Sequence, residues 1–237
     1  MQKPTISAWP PKAAAWPPKR TGTPDSPPTV LTPRFQMAFL YAMRLHENQR
    51  RKTGFQAPYL AHLMGVASLV LEYGGSEDMA IAALLHDAAE DQGGEDTLNY
   101  IYDVFGSEVG TMVQDCTDAM PAEGEAKAPW KERKLAYLQA LPEKSEWSLL
   151  VSMADKVYNA RAIVAEQRLQ GDRAFEKFKG GKDGTVWYYR SLVAMYQQAL
   201  DDTEHPLQYH LDGIKGLMSE LRVAVNEMER LAYYPNG

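Results

Sequence analysis

Residues 83–91 read ALLHDAAED, an unbroken run of small and branched apolar side chains that ends in His86, Asp87, Glu90 and Asp91. Ser76 supplies an N-cap, Glu77 and Asp78 suit the positive end of a helix dipole, and Gly93-Gly94 supplies a stop. The pattern therefore predicts one helix over 77–91. His86 and Glu90 are four apart, as are Asp87 and Asp91, so two adjacent stripes of that helix carry all four groups. Three carboxylates at a helix C-terminus oppose the dipole and one another, and burial costs several kcal/mol per unpaired ion. Something cationic must compensate, and a divalent metal would do so.

Two further segments carry ionisable groups into apolar surroundings. His62 lies in PYLAHLMGVASLV (58–70), where Leu63, Val66, Leu69 and Val70 form an apolar helical face, and Asp155 closes LLVSMADK (149–156). Two histidines and two aspartates from three helices make a mixed nitrogen and oxygen donor set, suited to Mn, Fe or Zn with positions left open for water or substrate.

The rest of the chain after Phe35 shows helical periodicity with no convincing alternation of period two, which predicts an all-α domain. Helices are expected over 35–52, 59–73, 77–91, 96–105, 107–117, 129–141, 146–169, 184–201 and 207–231, separated by Gly54–Pro58, Gly74-Gly75, Gly106, Pro121–Gly124, Pro142, Gly180-Gly181 and Pro206. Residues 1–34 differ in kind: nine of the 15 prolines fall there, with AWPPK at 8–12 repeated at 15–19. That composition is read as a disordered Pro-rich tail ahead of a domain over 35–237. One cysteine excludes a disulfide framework. The net charge of −6 argues against broad nucleic-acid binding, and neither a membrane span nor a signal peptide is evident. A cytoplasmic protein is expected.

Three segments together resemble the HD phosphohydrolase superfamily and, more narrowly, RelA/SpoT-type hydrolase domains and stand-alone small alarmone hydrolases. QRRKTGFQAPYLAH (49–62) is similar to the family's basic-Gly-Pro-Tyr-x-x-His lead-in, ALLHDAAED to its His-Asp-x-x-Glu-Asp helix, and MADKVYNAR (153–161) to its Ala-Asp-Lys/Arg-x-x-Asn-x-Arg segment. The likeness covers residues 36–165, with additional helices over 172–231. Departures are Gln92 where the family has Thr, Leu63 where it has Pro, and the loop-lengthening Phe55-Gln56-Ala57.

The resemblance implies a compact HD-domain helical bundle and a Mn²⁺ site of His62, His86, Asp87 and Asp155, with Fe, Co or Zn as alternatives. Glu90 and Asp91 would serve the water, Arg51 and Lys52 the nucleoside pocket, and Asn159 the base or sugar. The implied reaction removes the 3′-pyrophosphate of (p)ppGpp-type alarmones, releasing pyrophosphate and GDP or GTP, from a small-molecule nucleotide substrate. Functional pairing with an alarmone synthetase is compatible with that chemistry, and oligomeric state is left open. Two other classes are retained: another HD phosphohydrolase acting on nucleotide monophosphates or cyclic nucleotides, and a metal-binding regulator without turnover.

Other polar residues receive structural readings. His46 is read as a packing or supporting histidine, His205 and His210 as surface groups near a helix start, and Cys116 as core. Tyr188 and Tyr189 read as core aromatics that, with Arg190, could reach a pocket. Lys127, Lys131, Arg133 and Lys134 form a basic cluster, either solvated or facing substrate phosphates.

Overall fold

A computed structural model describes residues 29–52, 55–118, 128–201 and 210–234. These fold into ten α-helices: α1 (Pro33–Leu45), α2 (Leu60–Glu72), α3 (Glu77–Leu85), α4 (Ala88–Asp91), α5 (Gly94–Phe105), α6 (Ser107–Cys116), α7 (Trp130–Ala140), α8 (Glu146–Gln170), α9 (Gly181–Asp201) and α10 (Leu211–Tyr233). Among the described residues there is no strand, only an isolated antiparallel bridge between Arg50 and Pro58. The expected all-α class is therefore what the chain adopts.

The long α8 forms the spine. Ser145 caps its start by accepting from the Ser148 amide, and Leu149, Leu150, Met153, Ala154, Val157, Ala160 and Val164 are buried along its length. At a rise of 1.5 Å per residue its 25 residues run about 37 Å, enough to contact α2, α3, α6 and α10 at once. Two glycines set how closely neighbours approach. At Gly65 of α2 a Cβ would lie 2.1 Å from the Tyr158 ring, so only a bare backbone lets Tyr158 of α8 lie flat against α2. At Gly213 a Cβ would lie 2.1 Å from the Tyr73 carbonyl oxygen, which brings α10 onto the end of α2.

Four expectations need correction. The first helix starts at Pro33, not Phe35: Thr32 caps it, Thr29 donates to the Gly75 carbonyl at 3.1 Å, and Arg34 reaches Asp78 Oδ1 at 2.6 Å and the Phe105 carbonyl at 2.7 Å. Residues 29–34 thus belong to the folded body, whereas the AWPPK pair lies outside the described residues. The same helix ends at Leu45 and not at 52, because the chain must turn at His46 to bring Arg50 beside Pro58. The segment 77–91 is two helices, since His86 and Asp87 form a turn between α3 and α4. Asp87 therefore opens a second short helix, where the dipole favours its charge. Finally, His210 is buried at the start of α10, not at the surface. His205, Lys127, Pro206 and the Pro121–Gly124 break lie outside the described residues.

Candidate metal centre and active-site cleft

His62 comes from the first turns of α2, His86 and Asp87 from the turn joining α3 to α4, and Asp155 from the middle of α8. The chain brings these four together. Nε2 of His62 lies 3.2 Å from Asp155 Oδ1 and 3.6 Å from Asp87 Oδ2; Nε2 of His86 lies 3.1 Å from Asp87 Oδ2 and 3.5 Å from Asp155 Oδ1. Both histidines are buried, and among the described residues neither Nε2 has a hydrogen-bond partner.

A buried polar atom without a partner is costly, so this convergence of lone pairs calls for an occupant. His86 Nδ1 lies 2.8 Å from the Ala83 carbonyl, which can only accept, so its proton sits on Nδ1 and the Nε2 lone pair faces the cluster. The carboxylates are held from behind. Tyr59 donates to Asp87 Oδ2 at 2.5 Å, Lys156 to Asp155 Oδ2 at 2.6 Å, and Asn159 to Asp155 Oδ1 at 2.5 Å. Supporting hydrogen bonds of this kind orient metal ligands. The donor set fits a divalent cation. Without one, burial opposes charge on His86, yet the Asp87 and Asp155 carboxylates hold its pKa well above the usual imidazole value. Asp87 and Asp155 are held well below the carboxylate range in spite of burial, Asp87 chiefly by His86 and Asp155 chiefly by Lys156.

The cluster opens into a cleft of about 500 Å³ whose lining includes Asp87, Glu90, Asp91, Asp155 and Asn159. Glu90 accepts from the Asp118 amide at 3.4 Å and lies 3.9 Å from Arg133. Asp118 in turn binds Arg133 at 2.5 Å and Lys134. Burial works against the Asp118 charge, but Lys134 and then Arg133 bring its pKa down to about 2. Asp91 accepts from Gln49 Nε2 at 2.8 Å, and Gln49 Oε1 is shared by His46 Nδ1 and Gln92 Nε2. His46 is buried and stacks on Tyr59 at 5.1 Å, the supporting role expected of it. Gln92, one of the departures from the family pattern, belongs to the hydrogen-bond chain that holds Asp91.

Arg51 and Asn159 meet directly, NH2 to Oδ1, at 2.7 Å. The guanidinium also lies 5.8 Å from the Tyr59 ring centre and 5.7 Å from that of Tyr158. Lys52 is exposed at the lip of the cleft. The basic residues of α7 divide: Lys131 sits over the Trp187 ring, while Arg133 and Lys134 line the cleft. Tyr188 and Tyr189 are buried and line it too, whereas Arg190 turns away to Glu229. Cys116, expected in the core, is half-buried on the cleft wall, its thiol pushed up to about 11 by burial.

Sequence reasoning passed over several lining residues: Tyr59, Trp130, Lys156, Glu166, Lys177 and Phe178. Tyr59 and Lys156 are themselves positions of the quoted motifs, Pro-Tyr-x-x-His and Ala-Asp-Lys/Arg, and were within reach of a motif-based reading. Lys177 and Phe178 come from the stretch between α8 and α9, which carries no local signal.

An HD domain family profile matches residues 38–179, more than half of the chain. The guanosine-3′,5′-bis(diphosphate) 3′-pyrophosphohydrolase MESH1 of Xenopus tropicalis is 36% identical over 139 residues, covering 55% of this chain and 73% of that protein. Its Homo sapiens counterpart is 37% identical over 125 residues, 52% of this chain and 65% of the relative. A solved structure described as a metazoan ortholog of SpoT that hydrolyzes ppGpp superposes with a TM-score of 0.61 at 23% identity, over 85% of this chain and 97% of that one. The chain belongs to the HD domain family.

Proposed function

We propose that this protein is a metal-dependent hydrolase that removes the 3′-pyrophosphate of guanosine 3′,5′-bis(diphosphate)-type alarmones. The observation that carries the reading is the hydrogen-bonded link between Arg51 on the cleft wall and Asp155 of the His/Asp cluster. Arg51 is held by Asn159, and Asn159 holds Asp155. The Arg51 guanidinium, near the Tyr59 and Tyr158 rings, puts a planar cationic group on the cleft wall, and such a group can stack on a purine. The MESH1 relatives bear the name of this activity, and the matched region spans 73% of the Xenopus protein.

His62, His86, Asp87 and Asp155 would hold the cation; this mixed donor set suits Mn, Fe or Zn, and Mn²⁺ is the ion that the family resemblance implies. A cation held there would supply Lewis-acid charge and lower the pKa of a water. Glu90, in the cleft beside the cluster, takes a proton from the attacking water. The water oxygen bonds to the phosphorus next to the 3′-oxygen, the P–O3′ bond breaks, and the proton held by Glu90 passes to the leaving 3′-oxygen, which restores the Glu90 carboxylate. Asp91 positions the water from its Gln49 anchor. Lys134, Arg133 and Lys156 face the departing pyrophosphate. Burial and the neighbouring Lys156 charge already lower the Lys134 pKa, so an anion arriving between them relieves repulsion.

Among the described residues no helix is long and apolar enough to cross a membrane. The testing experiment is incubation of the Mn²⁺-loaded protein with 3′-pyrophosphorylated guanosine and adenosine nucleotides, nucleoside mono- and triphosphates and cyclic nucleotides, with products identified. Release of pyrophosphate from the 3′-position is expected. A preference for any other group would replace the alarmone reading with another phosphohydrolase.

A further inference from the structure

The cleft is longer than the metal cluster and Arg51 require, and its far end is cationic. Its floor is one face of α8. Asp155, Asn159, Ala162 and Glu166 all line it, and eleven residues make almost whole turns of an α-helix, so Asp155 and Glu166 point the same way. At 1.5 Å per residue, Asn159 stands about 6 Å and Glu166 about 16 Å along the axis from Asp155.

Glu166 binds Lys177. Lys177 belongs to the stretch between α8 and α9, and this wall is fixed. Phe175 is buried, the Phe178 amide donates to the Phe175 carbonyl and the Gly181 amide to that of Phe178, each at 3.0 Å. At Gly180 a Cβ would lie 2.6 Å from Trp130, so the wall is pressed onto α7. Lys177 and Lys179 line the cleft there, and Arg50, Arg51 and Lys52 line it from the loop before α2. Burial, and then the charge of Arg51, pull the Lys177 pKa down to about 8. An ammonium has three donors, and Glu166 takes one.

Resting on the hydrolase reading above, we propose that Lys177 and Lys179, which line the same cleft as Arg50 and Lys52, bind the 5′-phosphate chain of the substrate. In that reading the His/Asp cluster would take the 3′-diphosphate and Arg51 with Asn159 the nucleoside, which leaves the 5′-phosphates at the Glu166 end of the floor. The protein then reads a nucleotide by its phosphorylation at both ends. A polyanion also needs this local cationic wall in a chain of net charge −6.

The test compares kcat/KM for guanosine 3′,5′-bis(diphosphate), guanosine 5′-triphosphate 3′-diphosphate and guanosine 3′-diphosphate with a free 5′-hydroxyl, in Mn²⁺-loaded wild type and in Lys177→Gln/Lys179→Gln. Wild type should prefer the 5′-phosphorylated substrates by at least about tenfold, the scale of one charge-assisted contact, mainly through KM. In the double variant the ratio should fall below about threefold. Because the ratio is taken within one preparation, a partly unfolded variant does not distort it. A wild type that cleaves all three equally, or a double variant that keeps the full preference, overturns the subsite and leaves the hydrolase reading standing. A wild type that cleaves none overturns both.

Discussion

Arg51 and Asn159, separated by 108 positions in the chain, share a 2.7 Å hydrogen bond, and the Asn159 amide passes its own donor to Asp155 at 2.5 Å. The proposed nucleoside contact and the proposed cation site are therefore mechanically one unit. Arg51→Ala should raise KM more than it lowers kcat, because in the proposed reading the guanidinium contacts the nucleoside and not the reacting phosphorus. Asn159→Ala should affect both. The double variant should be less impaired than the product of the two single effects, with a coupling of about 0.5–3 kcal/mol in a kinetic double-mutant cycle. Strict additivity would mean that the two residues act separately.

Removal of a cation ligand is expected to show in stability as well as in turnover. A divalent ion present at 100 times its Kd stabilises the folded state by about 2.7 kcal/mol, so Mn²⁺ should raise the wild-type melting temperature. His62→Ala and Asp155→Ala should abolish that rise and the metal content measured by elemental analysis. Normal metal content in both variants would remove the assignment.

Glu90 lies in the cleft but outside the cluster of four, so Glu90→Gln should retain its metal and lose kcat by about 10²–10⁴, the range for a missing proton-transfer group. A wild-type kcat at saturating substrate, with metal content matched, would exclude a catalytic role.

Gly65→Ala tests the packing beneath the pocket. The added methyl would sit 2.1 Å from the Tyr158 ring, which must move, and Arg51 rests against that ring. A destabilisation of about 1–3 kcal/mol is expected from overpacking, read by chemical denaturation, together with a raised KM. Unchanged stability would show that Tyr158 has room to shift.

Asp118 gives the structure an acid-sensitive support. Its pKa falls to about 2 beside Lys134 and Arg133. A depressed carboxylate contributes stability that is complete above its unfolded value, about 4, and is lost as pH falls toward the folded value. The stability gap between wild type and Asp118→Asn should therefore be constant at about 2 kcal/mol from pH 5 to 7 and shrink between pH 4 and 2. A gap that closes near neutral pH would assign the stabilisation to another group.

Much of this fold was legible because glycine, proline and capping residues punctuate it. The Ser145 cap and the apolar run after it place α8 to within a residue of its expected end. The turn at His86-Asp87 was not legible, since every residue from 77 to 91 tolerates a helix and only the meeting with α2 and α8 decides the break. His210 shows the same limit: an imidazole at a helix start looks solvated until α10 packs beside Gly74. In the site, the four proposed cation ligands were readable as polar groups bordering apolar runs. Lys177, Phe178 and Glu166 were not, because nothing local distinguishes a lysine that lines a cleft from one that faces water.

Since one face of α8 lines the cleft from Asp155 to Glu166, the helix tolerates change in length only in phase. One residue inserted between Asn159 and Glu166 would swing Glu166 around the axis by about 100° and carry Lys177 out of line, although every side chain remained. A whole-turn insertion would instead keep the facing residues aligned and lengthen the cleft by about 5 Å, which suggests how a protein on this frame could be retuned for a longer substrate.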